Sequence, residues 1–468
     1  MPNDRSAGLH ALESRVRRDL DYVDYPAHAW VIPRLHATGA PIHDVVIVGA
    51  GMSGLSVAFL LMRARILNIV AIDRSAPGHE GPWLSYARME ELRTPKEMVG
   101  PDCGFPSLSF AEWYRATHGE AAWNTLVKAP REVWMDYLNW FRRAAALPVE
   151  NGVELRSIEP QTDGSLALLV TRNEVPQTLY ARKVVLATGF CAAGGGIVPA
   201  MVKDALPPER YAHSADDIDF ARLRGKRVAV LGAGASAFDN AAVALAAGAA
   251  DVVLFARRAQ VQKRNIKEAT EFSTLLRYYA DLDDARRWRL MRTATNDNPP
   301  PPPNSVARCT AYANFSMHTG AQWSQLRMDN NRIHLAASGC EFEFDFLILG
   351  TGFAVDTRQR PELAGIARHI ALWKDIYTPP PDAVDEALGR FPYLGPNFEF
   401  VEKTPGSAPC LANIHDFGIA AVQSMGPVCV GLNGMKIGGP RLVTGISRDL
   451  FLADAAAHEA ALARALAT

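Results

Sequence analysis

Six cysteines are scattered through the 468 residues, at Cys103, Cys191, Cys309, Cys340, Cys410 and Cys429, and no two of them form a Cys-x-x-Cys pair. That spacing argues against a zinc site, so no metal is expected, and against a dithiol redox centre. A reducing, cytoplasmic compartment is the simplest expectation. No apolar run is long and smooth enough to span a bilayer. Residues 1–20 are polar and lack the apolar core of a secretory signal. Neither sign of charge is in excess: 49 Lys and Arg face 50 Asp and Glu, a formal net charge of −1. Electrostatics therefore offers no reason to expect a nucleic-acid or anionic-membrane partner. The sequence also displays no pattern of a catalytic triad or an acid–base pair.

What is present is a glycine fingerprint, twice. Gly49-Ala50-Gly51-Met52-Ser53-Gly54 follows the apolar run Val45-Val46-Ile47-Val48, and Gly232-Ala233-Gly234-Ala235-Ser236-Ala237 follows Val228-Ala229-Val230-Leu231. Each stands where a buried parallel strand would turn into a helix. Small residues there let the backbone approach a pyrophosphate, and the helix N-terminus presents free N–H groups. Two such turns suggest two bound dinucleotides, hence a redox relay. Ala237 replaces the third glycine, whose task is close helix–strand packing, and alanine is an accepted variant.

The periodicity predicts a first βαβ half with strands at 44–48 and 69–73 around a helix at 53–66, and a second with strands at 227–231 and 252–256 around an alanine-rich helix at 236–247. A helix is expected at 131–145. An antiparallel meander is expected near 153–158, 165–172 and 178–187, and a buried strand at 344–349. At this length two domains are expected. The fold class is α/β, with two Rossmann-like dinucleotide-binding domains, the second inserted in the first. The first would span 41–200 and 346–468 and the second 201–345, after an N-terminal extension at 1–40 packed on the surface. The five prolines Pro299–Pro303 read as a stiff polyproline loop.

The ends of the second strands differ in sign. Asp73 can accept hydrogen bonds from ribose hydroxyls, or can be a solvated strand-end carboxylate; Arg74 follows it. The other half carries Arg257-Arg258 instead, and guanidinium forks suit a 2′-phosphate, so NADPH is expected there rather than NADH. Lys263 and Arg264 could add to that site or be a solvated basic face. Asp239, early in the second helix, complements the helix dipole.

Taken in order, these features resemble the class B flavin-dependent monooxygenases: flavin-containing monooxygenases, Baeyer–Villiger monooxygenases and N-hydroxylases. Ala187-Thr188-Gly189 and Gly350-Thr351-Gly352 resemble the strand-end motifs at the crossings between the FAD and NADPH domains. Gly81-Pro82-Trp83 is similar to the family's Gly-Thr-Trp near the flavin. Lys96-Glu97-Met98, with Pro101-Asp102 and Phe105-Pro106, resembles a flavin-facing segment. Asn151-Gly152-Val153 looks like the stretch that meets the FAD adenine. His213 keeps the family's spacing ahead of the second fingerprint, although Pro207 and Glu209 stand where the Baeyer–Villiger signature has Phe and Gly. His415-Asp416-Phe417 resembles a His-x-Phe of the N-hydroxylases. Arg93 stands where flavin-containing monooxygenases have Asn; it could bind an anionic substrate, hold NADP+, stabilise a peroxide oxygen, or form a surface or domain-interface salt bridge.

The resemblance implies FAD held by Gly49, Gly51, Ser53, Gly54, Asp73, Arg74, Trp83, Val153, Thr188 and Gly189. It implies NADPH held by Gly232, Gly234, Ser236, Ala237, Arg257, Arg258, Thr351 and Gly352, with Arg93, Lys96 and His213 as catalytic candidates. It implies a flavin C4a-(hydro)peroxide that oxygenates a small molecule with O2, at nitrogen or sulfur. Baeyer–Villiger oxygenation, an NADPH-dependent reductase or oxidase, and a nucleotide-binding flavoprotein without turnover are the alternatives. A homo-oligomer remains open.

Overall fold

The computed structural model describes residues 2–23, 28–190, 193–266, 269, 272–297 and 299–467. Its strands are β1 (Arg34–Leu35), β2 (Pro41–Val48), β3 (Ile69–Asp73), β4 (Val149–Asn151), β5 (Val153–Pro160), β6 (Leu166–Arg172), β7 (Val175–Leu186), β8 (Tyr211–His213), β9 (Arg227–Leu231), β10 (Asp251–Ala256), β11 (Phe315–Thr319), β12 (Trp323–Asp329), β13 (Arg332–Ala337), β14 (Cys340–Phe344), β15 (Phe346–Leu349) and β16 (Ile414–Asp416).

The first sheet runs β4-β3-β2-β7-β6-β5, with β1 and β16 paired to β2 and β7. Its β4-β3-β2-β7 portion is parallel, which requires cover on both faces and explains the unbroken apolar runs of β2 and β3. The helix Met52–Arg63 supplies cover through Leu55, Val57, Ala58, Phe59 and Leu61, all buried. The meander β5-β6-β7 is antiparallel, as expected. The second sheet, β11-β10-β9-β15-β8, is parallel throughout. Separate apolar clusters line its two faces, one built on the helix Ala235–Ala246 and the other on the small antiparallel sheet β12-β13-β14.

Three expectations need adjustment. The strand Phe346–Leu349, assigned to the return of the first domain, pairs with β9 and β8, so it completes the second sheet. The leading segment packs as the helix Pro2–Tyr22, and it joins the first core through a stripe of buried Leu12, Val16 and Leu20. The proline run ends inside a helix, because Pro303 opens Pro303–Thr310, where its missing N–H costs nothing. Cys191 lies outside the described residues.

No helix among the described residues is long and apolar enough to cross a membrane. The five described cysteines are free.

Candidate functional site

The first fingerprint forms a tight turn for two separate steric reasons. Gly49 has φ +99°, a backbone that L side chains rarely adopt, and a Cβ there would lie 2.6 Å from the Ala187 carbonyl oxygen. A Cβ on Gly54 would lie 1.8 Å from the Gly49 oxygen, so glycine sets how closely the helix Met52–Arg63 meets the turn. That helix begins at Gly51 with no side-chain cap, leaving its first N–H groups for a ligand. Ser53 Oγ donates to the Cys429 carbonyl at 3.0 Å, which straps the tail to this turn.

Asp73 supports the turn from below. Its Oδ2 accepts the Ala50 N–H and its Oδ1 the Ser75 N–H, both at 2.8 Å. The carboxylate thus holds the loop together across the end of β3. Arg74 is exposed. The Ser75 carbonyl accepts from Asn151 Nδ2 at 3.1 Å and from the Gly152 N–H at 3.3 Å, bringing Asn151-Gly152-Val153 beside Asp73. Gly81, with φ +79°, comes close to Gly51, and Trp83 stands over the same turn with its buried indole Nε1 lacking a partner. Thr188-Gly189 closes the far side. There Gly189 has φ +71° and open space where a Cβ would point.

The second fingerprint repeats this construction. Gly232 has φ +121°, and a Cβ would meet the Gly350 oxygen at 2.3 Å. Ala237 packs where a Cβ on Gly350 would come within 2.7 Å, so it performs the packing task of the third glycine. The helix Ala235–Ala246 also begins without a side-chain cap, at Gly234, which has open space beside it, and Ser236 is exposed. Arg257 and Arg258 are exposed at the end of β10; Arg258 donates to the Asn296 carbonyl. Backbone N–H groups of Lys263 and Arg264 bind Gln262 Oε1, and both side chains are exposed.

Two uncapped helix ends, voids at glycine and an orphaned indole N–H form cradles whose donors fit the phosphates and ring of a dinucleotide each. Groups of His, Cys, Asp or Glu able to hold a metal are absent among the described residues.

The three catalytic candidates are bonded within the chain. Arg93 donates to Asp239 at 2.9 Å, the salt-bridge alternative. The Asp239 side chain is 3% exposed and also accepts from Ser305 Oγ at 2.6 Å, so it anchors a network rather than merely complementing a dipole. Lys96 Nζ donates to the carbonyls of Trp123 and Leu126, each at 2.6 Å, and lies over the Trp123 ring. His213 accepts the Ala215 N–H on Nδ1 at 3.2 Å and donates from Nε2 to the Gly352 carbonyl at 2.9 Å, which sets its tautomer. Burial holds its pKa below the ordinary histidine value, keeping the ring neutral.

The tail touches the first turn through residues that no motif singles out. Gly418 packs on the Gly189 backbone, and Cys429 receives Ser53. The signal was available in the glycine-rich run between Gly418 and Gly439, immediately before and inside the long helix Leu432–Ala453. His415 is fully buried and donates from Nδ1 to the Asn397 carbonyl at 2.9 Å, with its pKa pushed down to about 4 by burial. It belongs to the packing beneath the cradle.

Residues 46–191 match the FAD-NAD(P)-binding family. A FAD-dependent urate hydroxylase of Xanthomonas campestris pv. campestris is 42% identical over 446 residues, covering 95% of this chain and 94% of that protein. The chain belongs to the class B flavin-dependent monooxygenases. Its fold is shared with the ornithine N-hydroxylase of Kutzneria sp. 744 (19% identity, TM-score 0.69, 87% of this chain and 100% of that one). It is also shared with the ornithine hydroxylase of Pseudomonas aeruginosa (14%, 0.69, 87% and 100%) and the L-lysine 6-monooxygenase of Pseudomonas syringae (17%, 0.66, 87% and 99%). This monooxygenase uses FAD and NAD(P)H to oxygenate a small molecule with O2.

Proposed function

We propose that this monooxygenase hydroxylates urate, with FAD in the first cradle and NADPH in the second. The observation that carries the substrate is the 42% identity, across 95% of the chain, to a FAD-dependent urate hydroxylase. Oxygenation of a small molecule narrows on this reading to one flat purine. One oxygen atom of O2 enters urate, the other leaves as water, and NADPH supplies the two electrons. FAD, when bound, takes hydride from NADPH and activates O2.

The chain's own residues bind and orient. N–H groups at the start of Met52–Arg63 would hold the FAD pyrophosphate. Asp73, Arg74 and the Asn151–Val153 backbone would receive the adenosine end, and Trp83, Thr188 and Gly189 would border the ring. Gly232, Gly234, Ser236 and Ala237 would seat the NADPH pyrophosphate, and Thr351-Gly352 would lie beside the nicotinamide end. Arg257 and Arg258 would read the 2′-phosphate. Arg93, Lys96 and His213 act on this reading as positioning residues, since their polar groups are bonded within the protein. The domain division that fits the two sheets assigns 41 to about 197 and about 350 to 468 to FAD, with the span between to NADPH. The free thiols suit a cytoplasmic enzyme.

The test is urate-dependent NADPH oxidation by the FAD-loaded protein in air. Urate should disappear as NADPH is consumed; NADPH oxidation indifferent to urate, with urate intact, would sink the proposal.

A further inference from the structure

The two crossovers between the sheets are hydrogen-bonded to each other. The Ile197 N–H donates to the Gly352 carbonyl at 2.9 Å, the Ala354 N–H to Gly195 at 2.9 Å, and the Asp356 N–H to Ala193 at 2.8 Å. Gly196 and Phe353 face each other as an antiparallel bridge within this ribbon. His213 fastens it: the ring is bonded to Gly352, and a Cβ on Gly196 would lie 2.4 Å from the ring.

The ribbon carries an aromatic pair. Phe190 follows Gly189, at the carboxyl end of β7, and Phe353 follows Gly352, at the carboxyl end of β15. Their ring centroids are 6.0 Å apart with planes tilted by 44°. His213 meets the Phe353 ring edge-on at 5.3 Å. Phe190 is 40% exposed, and Ile197 and Met201 on the same ribbon and the helix after it are exposed to a similar degree. Large side chains of this kind are more often inside a fold, and a cluster of them in the open marks a binding surface.

Position gives this surface its meaning. Ligands of parallel α/β sheets bind outside the carboxyl ends of the strands. Gly189 adjoins the first cradle, through the contact of Gly49 with Ala187 and Thr188, and Gly352 follows Gly350, which packs on Gly232 and Ala237 of the second. Phe190 and Phe353 therefore meet where the two cradles adjoin, the place at which both the coenzyme's hydride and the substrate must reach the flavin.

We infer that the Phe190 ring, backed by Phe353, is the stacking surface for a flat heterocyclic substrate. A purine such as urate has polar edges all round and apolar character on its two faces alone, so an aromatic face is the surface that can take it. The ribbon and His213 hold Phe353, and Phe353 holds Phe190, so the face is ready before substrate arrives. This inference rests on the urate reading and adds the residue that recognises the ring.

The experiment uses FAD-loaded protein saturated with NADP+ and measures urate binding by isothermal titration calorimetry for the wild type, Phe190→Ala, Phe190→Leu and Phe190→Trp. Phe190→Ala and Phe190→Leu, which lack a flat face, should each weaken urate binding about tenfold, while Phe190→Trp restores it. FAD content, NADP+ affinity and melting temperature should match the wild type. Unchanged urate affinity in Phe190→Ala and Phe190→Leu overturns the inference alone. So does a loss of NADP+ affinity with urate unaffected, which would give the face to the nicotinamide. A wild type that does not bind urate overturns the substrate reading, and this inference with it.

Discussion

Arg93 and Asp239 form a 2.9 Å ion pair that joins the loop after the first cradle to the second turn of the second fingerprint helix. The pair is uneven: Arg93 is 44% exposed, whereas Asp239 is 3% exposed. Ser305 and Arg308, from the helix Pro303–Thr310, converge on the same carboxylate, and Arg308 also reaches Glu90 at 3.2 Å. A cavity of about 470 Å³ opens along this seam, lined by Arg88, Arg131, Arg308, Glu90, Glu132 and Asp217 among others. Its charges are mixed, and none of the fingerprint residues lines it.

This asymmetry predicts the outcome of a mutant cycle. Asp239→Ala strips Ser305, buried and bonded to it, and should cost about 1–3 kcal/mol of stability. Arg93→Ala removes an exposed partner and should cost less. The double variant should melt no lower than Asp239→Ala, because the pair is one unit. Thermal melting of the three variants checks this, and additive losses would show that the two residues act separately.

The proposed role of Arg257 as reader of the 2′-phosphate predicts a change of coenzyme preference when it is removed. Arg257→Ala should raise the KM for NADPH about tenfold or more and leave the KM for NADH unchanged, since the guanidinium answers to a 2′-phosphate that NADH lacks. Equal losses with both coenzymes would move the phosphate reader elsewhere.

A buried acid gives a pH signature. Asp44 is 3% exposed, its Oδ1 lacks a partner, and burial pushes its pKa up to about 6 despite Arg182 at 3.8 Å. A carboxyl group with a raised folded-state pKa stabilises the fold most at low pH, and that contribution is lost as pH rises from about 4 through 6. Asp44→Asn should therefore raise the melting temperature by a few degrees at pH 7.5, and the gain should vanish near pH 4. Arg182 keeps its two bonds to Asp454 in the variant, at 2.8 and 3.0 Å. A melting temperature unchanged at every pH would mean that Asp44 is as well solvated folded as unfolded.

The strands and glycine turns were legible because each is a local event. An apolar run, a small residue forced to positive φ and a helix start lie within a dozen residues at Gly49 and again at Gly232. Ala237 was legible for the same reason. The partners of Arg93, Lys96 and His213 were not, because Asp239, Trp123 and Gly352 lie far along the chain or on another element. Asp73 was recognised as a strand-end carboxylate, but its grip on Ala50 depends on how β3 lies beside β2. The strand Phe346–Leu349 was found and assigned to the wrong sheet, since an apolar run reveals burial and not its neighbour. The Phe190–Phe353 contact joins two crossovers distant in sequence, and no periodicity announces it.

The central claim is that this protein places one atom of O2 into urate at the expense of NADPH. The most direct measurement supplies isotopically heavy O2 to the FAD-loaded enzyme with urate and NADPH, then follows product mass and coenzyme use together. The account predicts a urate-derived product carrying one heavy oxygen atom before any exchange with water, with about one NADPH consumed for each urate. NADPH consumed with hydrogen peroxide formed in equal amount, and urate recovered unlabelled, would contradict it.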